Sequence, residues 1–294
     1  MDIEAIKSIA SEMEKDFSER MNRAGLMFRL FSRVKTERSI RHKLDFKGGY
    51  RSGKKKIQDI IGFRVVVYFQ DDVDVLSLLF GCNDVVKMAV DEFDDSTFRP
   101  QRLNITHNIP EKHVDIFRKS LPEDIAQYID NTYEIQIRTI FSEGWHEVEH
   151  DLRYKCKEDW NGYDSFSRTL NGMIATLETA EWSMKSLFHE MAYQNFLHKN
   201  YRAMLRNKMR IRLTDNDFSP EVGKFLQDNP ETAKKFIDTN RVVFVLSLLS
   251  HNMGIDLTYD NVLFLVNRLE IHNAELLALE GEATRLAMEK YLAS

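Results

Sequence analysis

The chain has 294 residues, 43% of them hydrophobic and 30% charged, and a formal net charge of −5. That size and balance suit one large domain or two with a real core, and exclude a disordered chain or an overall basic nucleic-acid coat. With 5 prolines and 12 glycines there is little room for linkers. Two cysteines, Cys82 and Cys156, fit a reduced protein better than a disulfide-stapled one. The N-terminus is amphipathic and lacks an apolar signal core, and the longest apolar run, residues 242–249, is too short to span a bilayer. A cytoplasmic location without membrane contact is the expectation.

In chain order, residues 2–25 read as a helix, 26–35 as a short strand with a charged end, and 36–46 as a second helix. Residues 47–56, KGGYRSGKKK, form a glycine-rich basic loop. Residues 63–69, FRVVVYF, are β-branched and aromatic on both faces, as a central strand must be. A helix over 71–80 and strands over 103–108 and 133–139 follow. This order predicts an α+β fold, a mixed sheet covered by helices. After Trp160 strand signals vanish. Residues 165–212 read as one long helix or two, and shorter helices are expected over 220–226, 230–239, 241–251, 261–270 and 274–292. A boundary near Glu158 divides a first domain, 1–158, from an all-helical second, 159–294.

Ionisable residues are densest between Tyr133 and Lys155, YEIQIRTIFSEGWHEVEHDLRYK. Along the strand Glu134, Gln136 and Arg138 point one way and Tyr133, Ile135 and Ile137 the other. On the following helix, Trp145, Val148 and Leu152 are expected as an apolar stripe, with Glu143, Glu147, His150 and Tyr154 opposite. His146-Glu147-Val148-Glu149-His150 satisfies the zinc-protease spacing H-E-x-x-H. Acidic Glu149 and Asp151 are foreign to such helices, and only Glu178 and Glu181 offer a third ligand, so a zinc peptidase is the disfavoured reading. His150-Asp151 also spells the pair of metal phosphohydrolases, but no further His and Asp positions assemble around it. Gly48, Gly53 and Lys54 nearly make a P-loop. Lys55 replaces its Ser or Thr, however, and the loop precedes the best strand instead of following one.

A wider constellation joins three segments. Arg33 and Lys35 share one face of a strand end, and Ser39 and Lys43 follow on a helix. Asp59 and Arg64 flank the start of the central strand, and Glu134, Gln136 and Arg138 lie on another. Two carboxylates, Asp59 and Glu134, suit one magnesium, and the cations suit a triphosphate.

RVKTERSIRHKL, IQDIIGFRVVVYFQDDV and YEIQIRTI with W…EH…YK resemble, in the same order, the alarmone synthetase domain of the RelA/SpoT type over roughly residues 20–160. The resemblance implies a sheet related to nucleotidyltransferases. It implies magnesium-dependent transfer of the β,γ-pyrophosphate of ATP to a ribose hydroxyl, releasing AMP. It assigns Asp59 and Glu134 to catalysis and metal binding, and Arg33, Lys35, Ser39, Lys43 and Arg64 to the donor nucleotide. Gln136, Arg138 and His150 would support the site, and Lys54 and Lys56 of the basic loop would meet phosphates.

Guanosine-using members of that family carry G-Y-x-S-x-H before the third strand. Here the corresponding segment is TFRPQRLN, residues 97–104, without Tyr or Ser. Phe98, Arg102 and Asn104 are the candidates for the acceptor. GDP or GTP, giving (p)ppGpp, is the leading acceptor. The alternative is a toxin-like member that modifies the tRNA 3′ end or an adenine nucleotide. A catalytically silent RNA-binding or regulatory module is the competing class. The single N-terminal helix leads to the expectation that no hydrolase domain precedes this region. In the second domain Lys199, Arg202, Arg206, Lys208, Arg210 and Arg212 suggest a cationic helical stripe for RNA, against the alternative of a solvated helix paired with acidic neighbours. Apolar helices further on would serve a core or an oligomer contact.

Overall fold

A computed structural model describes residues 1–81, 85–90 and 103–293. Its elements are α1 (Ile3–Arg23), β1 (Phe28–Val34), α2 (Glu37–Phe46), β2 (Ile61–Val67), α3 (Gln70–Gly81), β3 (Val85–Val90), β4 (Leu103–Asn108), α4 (Glu111–Lys119), α5 (Glu123–Ala126), β5 (Thr132–Thr139) and α6 (Ile140–Glu149). A π-helical turn, His150–Tyr154, and a 3₁₀ turn, Lys157–Trp160, end this part. Then come α7 (Asp164–Leu197), α8 (Tyr201–Met209), α9 (Pro220–Asp228), α10 (Pro230–Asp238), α11 (Arg241–Ser250), α12 (Tyr259–Val266), α13 (Ala274–Leu277) and α14 (Glu282–Leu292), with a π-helical turn, Asn267–Ile271, after α12. The fold is α+β, a mixed sheet with helices followed by a helical C-terminal region.

The sheet has the order β1-β2-β5-β4-β3. β2 and β5 run parallel, and every other neighbouring pair is antiparallel. Alternation along the strands separates two faces. Phe63, Val65, Tyr133, Ile135, Ile137 and Ile105 lie on the buried one. Phe17 of α1 packs edge-on against Phe63 at 5.1 Å and against Phe80 of α3 at 5.7 Å, so both helices cover this face. The other face carries Arg33, Arg64, Glu134, Gln136 and Arg138. Short helices α4 and α5 follow Pro110 and Pro122, residues that suit helix starts, and bury Phe117 and Ile125.

The chain divides into two compact units. One comprises Met1–Glu19, Phe28–Tyr68 and Leu76–Glu178; the other comprises Arg20–Met27, Phe69–Val75 and Thr179–Ser294. Among the described residues no helix is long and apolar enough to cross a membrane. Cys156 carries a free thiol, and Cys82 lies outside the described residues.

Within the second unit, Gly25 sits at φ +65°, and a Cβ there would stand 2.6 Å from the Arg212 carbonyl oxygen. Only glycine allows that approach. The unit also buries a charge cluster. Arg241 donates to Asp72 at 2.7 Å, lies 3.2 Å from Asp71, and donates through Nε to the Met209 carbonyl at 2.6 Å. Arg210 donates to Asp71, and Lys208 to the Ile237 carbonyl. Burial pushes the Asp72 carboxyl up, against the pull of Arg241.

This corrects the expected cationic stripe. α8 ends at Met209, Arg210 turns into the left-handed region at φ 48°, and both Lys208 and Arg210 point inward. Arg202, Arg206 and Arg212 remain exposed. Removing one partner from a buried ion cluster strands the other charge and costs about 3–5 kcal/mol. Arg241→Met is therefore expected to lower the unfolding free energy measured by urea titration by an amount of that order, whereas exposed Arg202→Met leaves it within about 0.5 kcal/mol.

Candidate active site

β1 leads directly into α2. The Lys35 amide donates to the Ile60 carbonyl at 2.8 Å, and Thr36 caps α2 by accepting from the Ser39 amide at 3.3 Å. This junction points Lys35 and, two turns along the helix, Lys43 at Asp59. Lys35 Nζ lies 2.5 Å from Asp59 Oδ2, and Lys43 Nζ lies 3.1 Å from Oδ1. All three side chains are at most 20% exposed, so these pairs are less screened than surface ones. Burial alone would raise the Asp59 carboxyl, but the two ammonium groups outweigh it and hold it below the usual carboxylate range. Burial pushes Lys35 down against the pull of Asp59, whereas Lys43, also opposed by burial, is lifted by Asp59.

On the parallel pair, Gly62 stands opposite Glu134 and Arg64 opposite Gln136. Gln136 Nε2 donates to Glu134 at 2.6 Å, and Arg64 Nε donates to Gln136 Oε1 at 3.4 Å, so the arginine orients the amide. Arg64 Nη1 also reaches Glu143 at 2.7 Å and Glu147 at 2.5 Å on α6. Arg138 donates to Glu143 at 2.9 Å, and its guanidinium is pushed down mainly by burial. α6 is aimed by a capping box in which Thr139 and Ser142 satisfy each other's backbone amides.

Together these segments line a pocket of about 400 Å³ whose walls include Arg33, Asp59, Arg64, Glu134, Gln136 and Glu147. Gly62 leaves room for the Arg33 side chain, which a Cβ there would meet at 3.4 Å. Phe31, Ser32 and Glu143 also contribute to the wall. Alternation on β1 and the i, i+4 spacing of Glu143 and Glu147 mark these positions in the sequence, but only the pairing of β1, β2 and β5 connects them.

The remaining candidates fall elsewhere. Ser39 serves the α2 cap, with its hydroxyl 3.0 Å from that of Thr36. Lys56 pairs with Asp130 at 3.2 Å, and Lys54 is exposed in a turn; neither lines the pocket. Arg138 pairs with Glu143 of the wall and does not itself line the pocket. His150 lies on the π-helical turn, stacked on Tyr154 at 5.8 Å and 3.0 Å from Asp151, outside the pocket lining. Asn104 pairs in register with Gln136. Phe98 and Arg102 lie outside the described residues.

The expected stripe on α6 is also corrected. The helix buries Trp145, His146 and Glu149, while Val148 and Leu152 are 48% and 62% exposed. Trp145 is anchored by its indole N–H, which donates to the Leu170 carbonyl at 2.8 Å. The apparent zinc motif is split, with His146 buried, His150 half exposed at the π-helical turn, and Glu147 tied to Arg64.

Residues 32–159 match the family model described as the region found in RelA / SpoT proteins. A GTP pyrophosphokinase of Bacillus subtilis (strain 168), YwaC, is 32% identical over 132 residues, 44% of this chain and 59% of that relative. The chain thus spans less than two thirds of that relative's length. Among solved structures, small alarmone synthetase 1 from Bacillus subtilis is 20% identical, covering 62% of this chain and 92% of that one, with a TM-score of 0.45. A GTP pyrophosphokinase family protein from Streptococcus pneumoniae is 22% identical, covering 62% and 88%, with a TM-score of 0.44.

Within the matched residues, Asp59 and Glu134 line one pocket, and two hard oxygen donors beside space for phosphate oxygens fit the way magnesium is usually held. The Asp59 clamp predicts its own titration. Its native pKa is depressed, so its contribution to stability is present above the unfolded value of about 3.9 and is lost as pH falls through the native value. Lys43→Met is expected to move the Asp59 carboxyl upward in a ¹³C NMR titration and to shift the acid-induced loss of stability to higher pH. An unchanged Asp59 titration would show that Lys43 does not hold it.

Proposed function

We propose that this chain is an ATP-dependent pyrophosphokinase, with a guanosine nucleotide as acceptor. The observation that supports this most is one pocket in the RelA/SpoT region that combines Arg33 and Arg64 with Asp59 and Glu134, three strands contributing. Cations from β1, α2 and β2 suit a triphosphate, and the carboxylates suit the reacting end.

In this reading Arg33 and Arg64 bind the donor phosphates, joined by Lys35 and Lys43, whose ammonium groups are already fixed on Asp59. The acceptor's ribose oxygen attacks the β-phosphorus of ATP. A bond forms between them, the bond from the β-phosphorus to the oxygen bridging to the α-phosphate breaks, and AMP leaves with that oxygen. Glu134 takes the hydroxyl proton, its carboxylate held by Gln136 at 2.6 Å and, through it, by Arg64. Magnesium, held by Asp59 and Glu134, would neutralise charge on the transferring phosphates.

The guanosine acceptor is supported by the relative named GTP pyrophosphokinase. The segment of residues 97–104, without Tyr or Ser, favours the second reading, in which the tRNA 3′ end or an adenine nucleotide accepts the group. Labelled ATP incubated with GDP, GTP, ADP or tRNA is expected to label the guanosine nucleotides and release AMP. Label on tRNA or ADP alone would select the second reading. Glu134→Gln is expected to lower AMP release by roughly 10²–10⁴-fold. Full AMP release by that variant with every acceptor would remove Glu134 from the reaction.

A further inference from the structure

The second unit has a pocket of its own. Its volume is about 490 Å³, within the range that holds small molecules. Three segments of that unit wall it: the end of α1 with Asn22 and Arg23, residues 212–214, and residues 251–257 after α11. Hydrogen bonds to backbone carbonyls fasten these segments together. The Arg212 amide donates to Gly25 at 2.7 Å, the Thr214 amide to Leu257 at 3.0 Å, and Arg20 Nε to Leu249 at 2.5 Å. Leu248, Met253 and Leu257, each at most 6% exposed, give the pocket an apolar floor, while Arg23 and Arg212 stand exposed on its wall. Among the described residues neither guanidinium has a carboxylate partner. The last carbonyls of α1 are the usual partners of such a cation, and they are already taken. Arg20, Met21 and Asn22 accept from the amides of Ala24, Leu26 and Gly25. Arg20 adds a third positive charge beside Arg23; burial pushes its guanidinium down, and Arg23 adds to the effect. Asp256 is the carboxylate of the wall and pairs with neither arginine, so the wall stays positive.

We propose that this pocket binds a small organic phosphate, its phosphate group between Arg23 and Arg212 and its body on the apolar floor. Two forked guanidiniums donate charge-assisted hydrogen bonds to several oxygens of one phosphate dianion. Asn252 Oδ1 accepts from the Gly254 amide at 3.1 Å, so what this side chain offers a ligand is its NH2 group, a further donor. Asp256 suits a hydroxyl or amino group on the body of the same ligand. A nucleic-acid strand would need cations spaced along an open groove. Here they gather at one cavity above buried leucines and a methionine, which fits a single phosphate carried by an apolar-faced body. The site is separate from the pocket that holds Asp59 and Glu134, with which it shares no residue.

The test is methionine-methyl NMR of the full chain with AMP, adenosine and inorganic phosphate as probes. The Met253 signal is identified by its loss in Met253→Leu, and no methionine lines the pocket of the first unit. AMP is expected to shift that signal and to saturate below about 1 mM, with adenosine and phosphate each binding at least roughly tenfold more weakly. Arg23→Gln with Arg212→Gln is expected to weaken AMP by roughly tenfold for each guanidinium removed. Circular dichroism should stay unchanged, because both side chains are exposed; either single substitution serves if the pair fails to fold. A Met253 signal that AMP does not move, adenosine or phosphate alone binding as tightly as AMP, or full AMP affinity in a folded variant would overturn the proposal.

Discussion

The parallel pairing of β2 with β5 is the contact on which the candidate site depends. Its register sets Gly62 against Glu134 and Arg64 against Gln136. A slip of one residue would turn each of these side chains toward Phe17 and the apolar core. The opposite face prevents it. Phe63, Val65, Ile135 and Ile137 are all at most 1% exposed, and each such side chain contributes about 1.5–3 kcal/mol by its burial. The apolar half of the sheet thus holds the polar half in position.

The two charged clusters of the chain have similar chemistry and different settings. Around the pocket, Asp59 lies between two ammonium groups, and Arg64 and Arg138 share two carboxylates on α6. These groups stay partly solvated and border open space, so they orient one another while remaining able to meet a ligand. Asp71, Asp72, Arg210 and Arg241 are each at most 8% exposed. Such a cluster has no room for a substrate, and its pairing serves the fold of its unit.

Local pattern made much of this fold legible. Alternation over Thr132–Thr139, the apolar run of β2 and the Thr36 cap of α2 mark their elements directly. β3 carries no such signal, because Lys87 and Met88 are both exposed and, among the described residues, the strand pairs only with β4. α4 and α5 are short and depend on the core that receives Phe117 and Ile125. Arg33, Asp59, Arg64, Glu134 and Gln136 stand out by residue type, and their meeting in one pocket comes from pairing between distant strands. The inward turn of Lys208 and Arg210 had no local signal either, since their partners, the Ile237 carbonyl and Asp71, are far away in the chain. The face of α6 was set by Trp145 and its anchor on Leu170, against the simpler apolar stripe.

That distance has a consequence for the order of events at the ribosome. Asp71 is separated from Arg210 by 139 residues and Asp72 from Arg241 by 169. At roughly 5–20 residues added per second, both carboxylates wait on the order of ten seconds before their partners exist. Until then they must stay hydrated, and the segments 20–27 and 69–75 have nothing to close against. The second unit can therefore complete only when nearly the whole chain has emerged, a late and non-local step of the kind that slows folding.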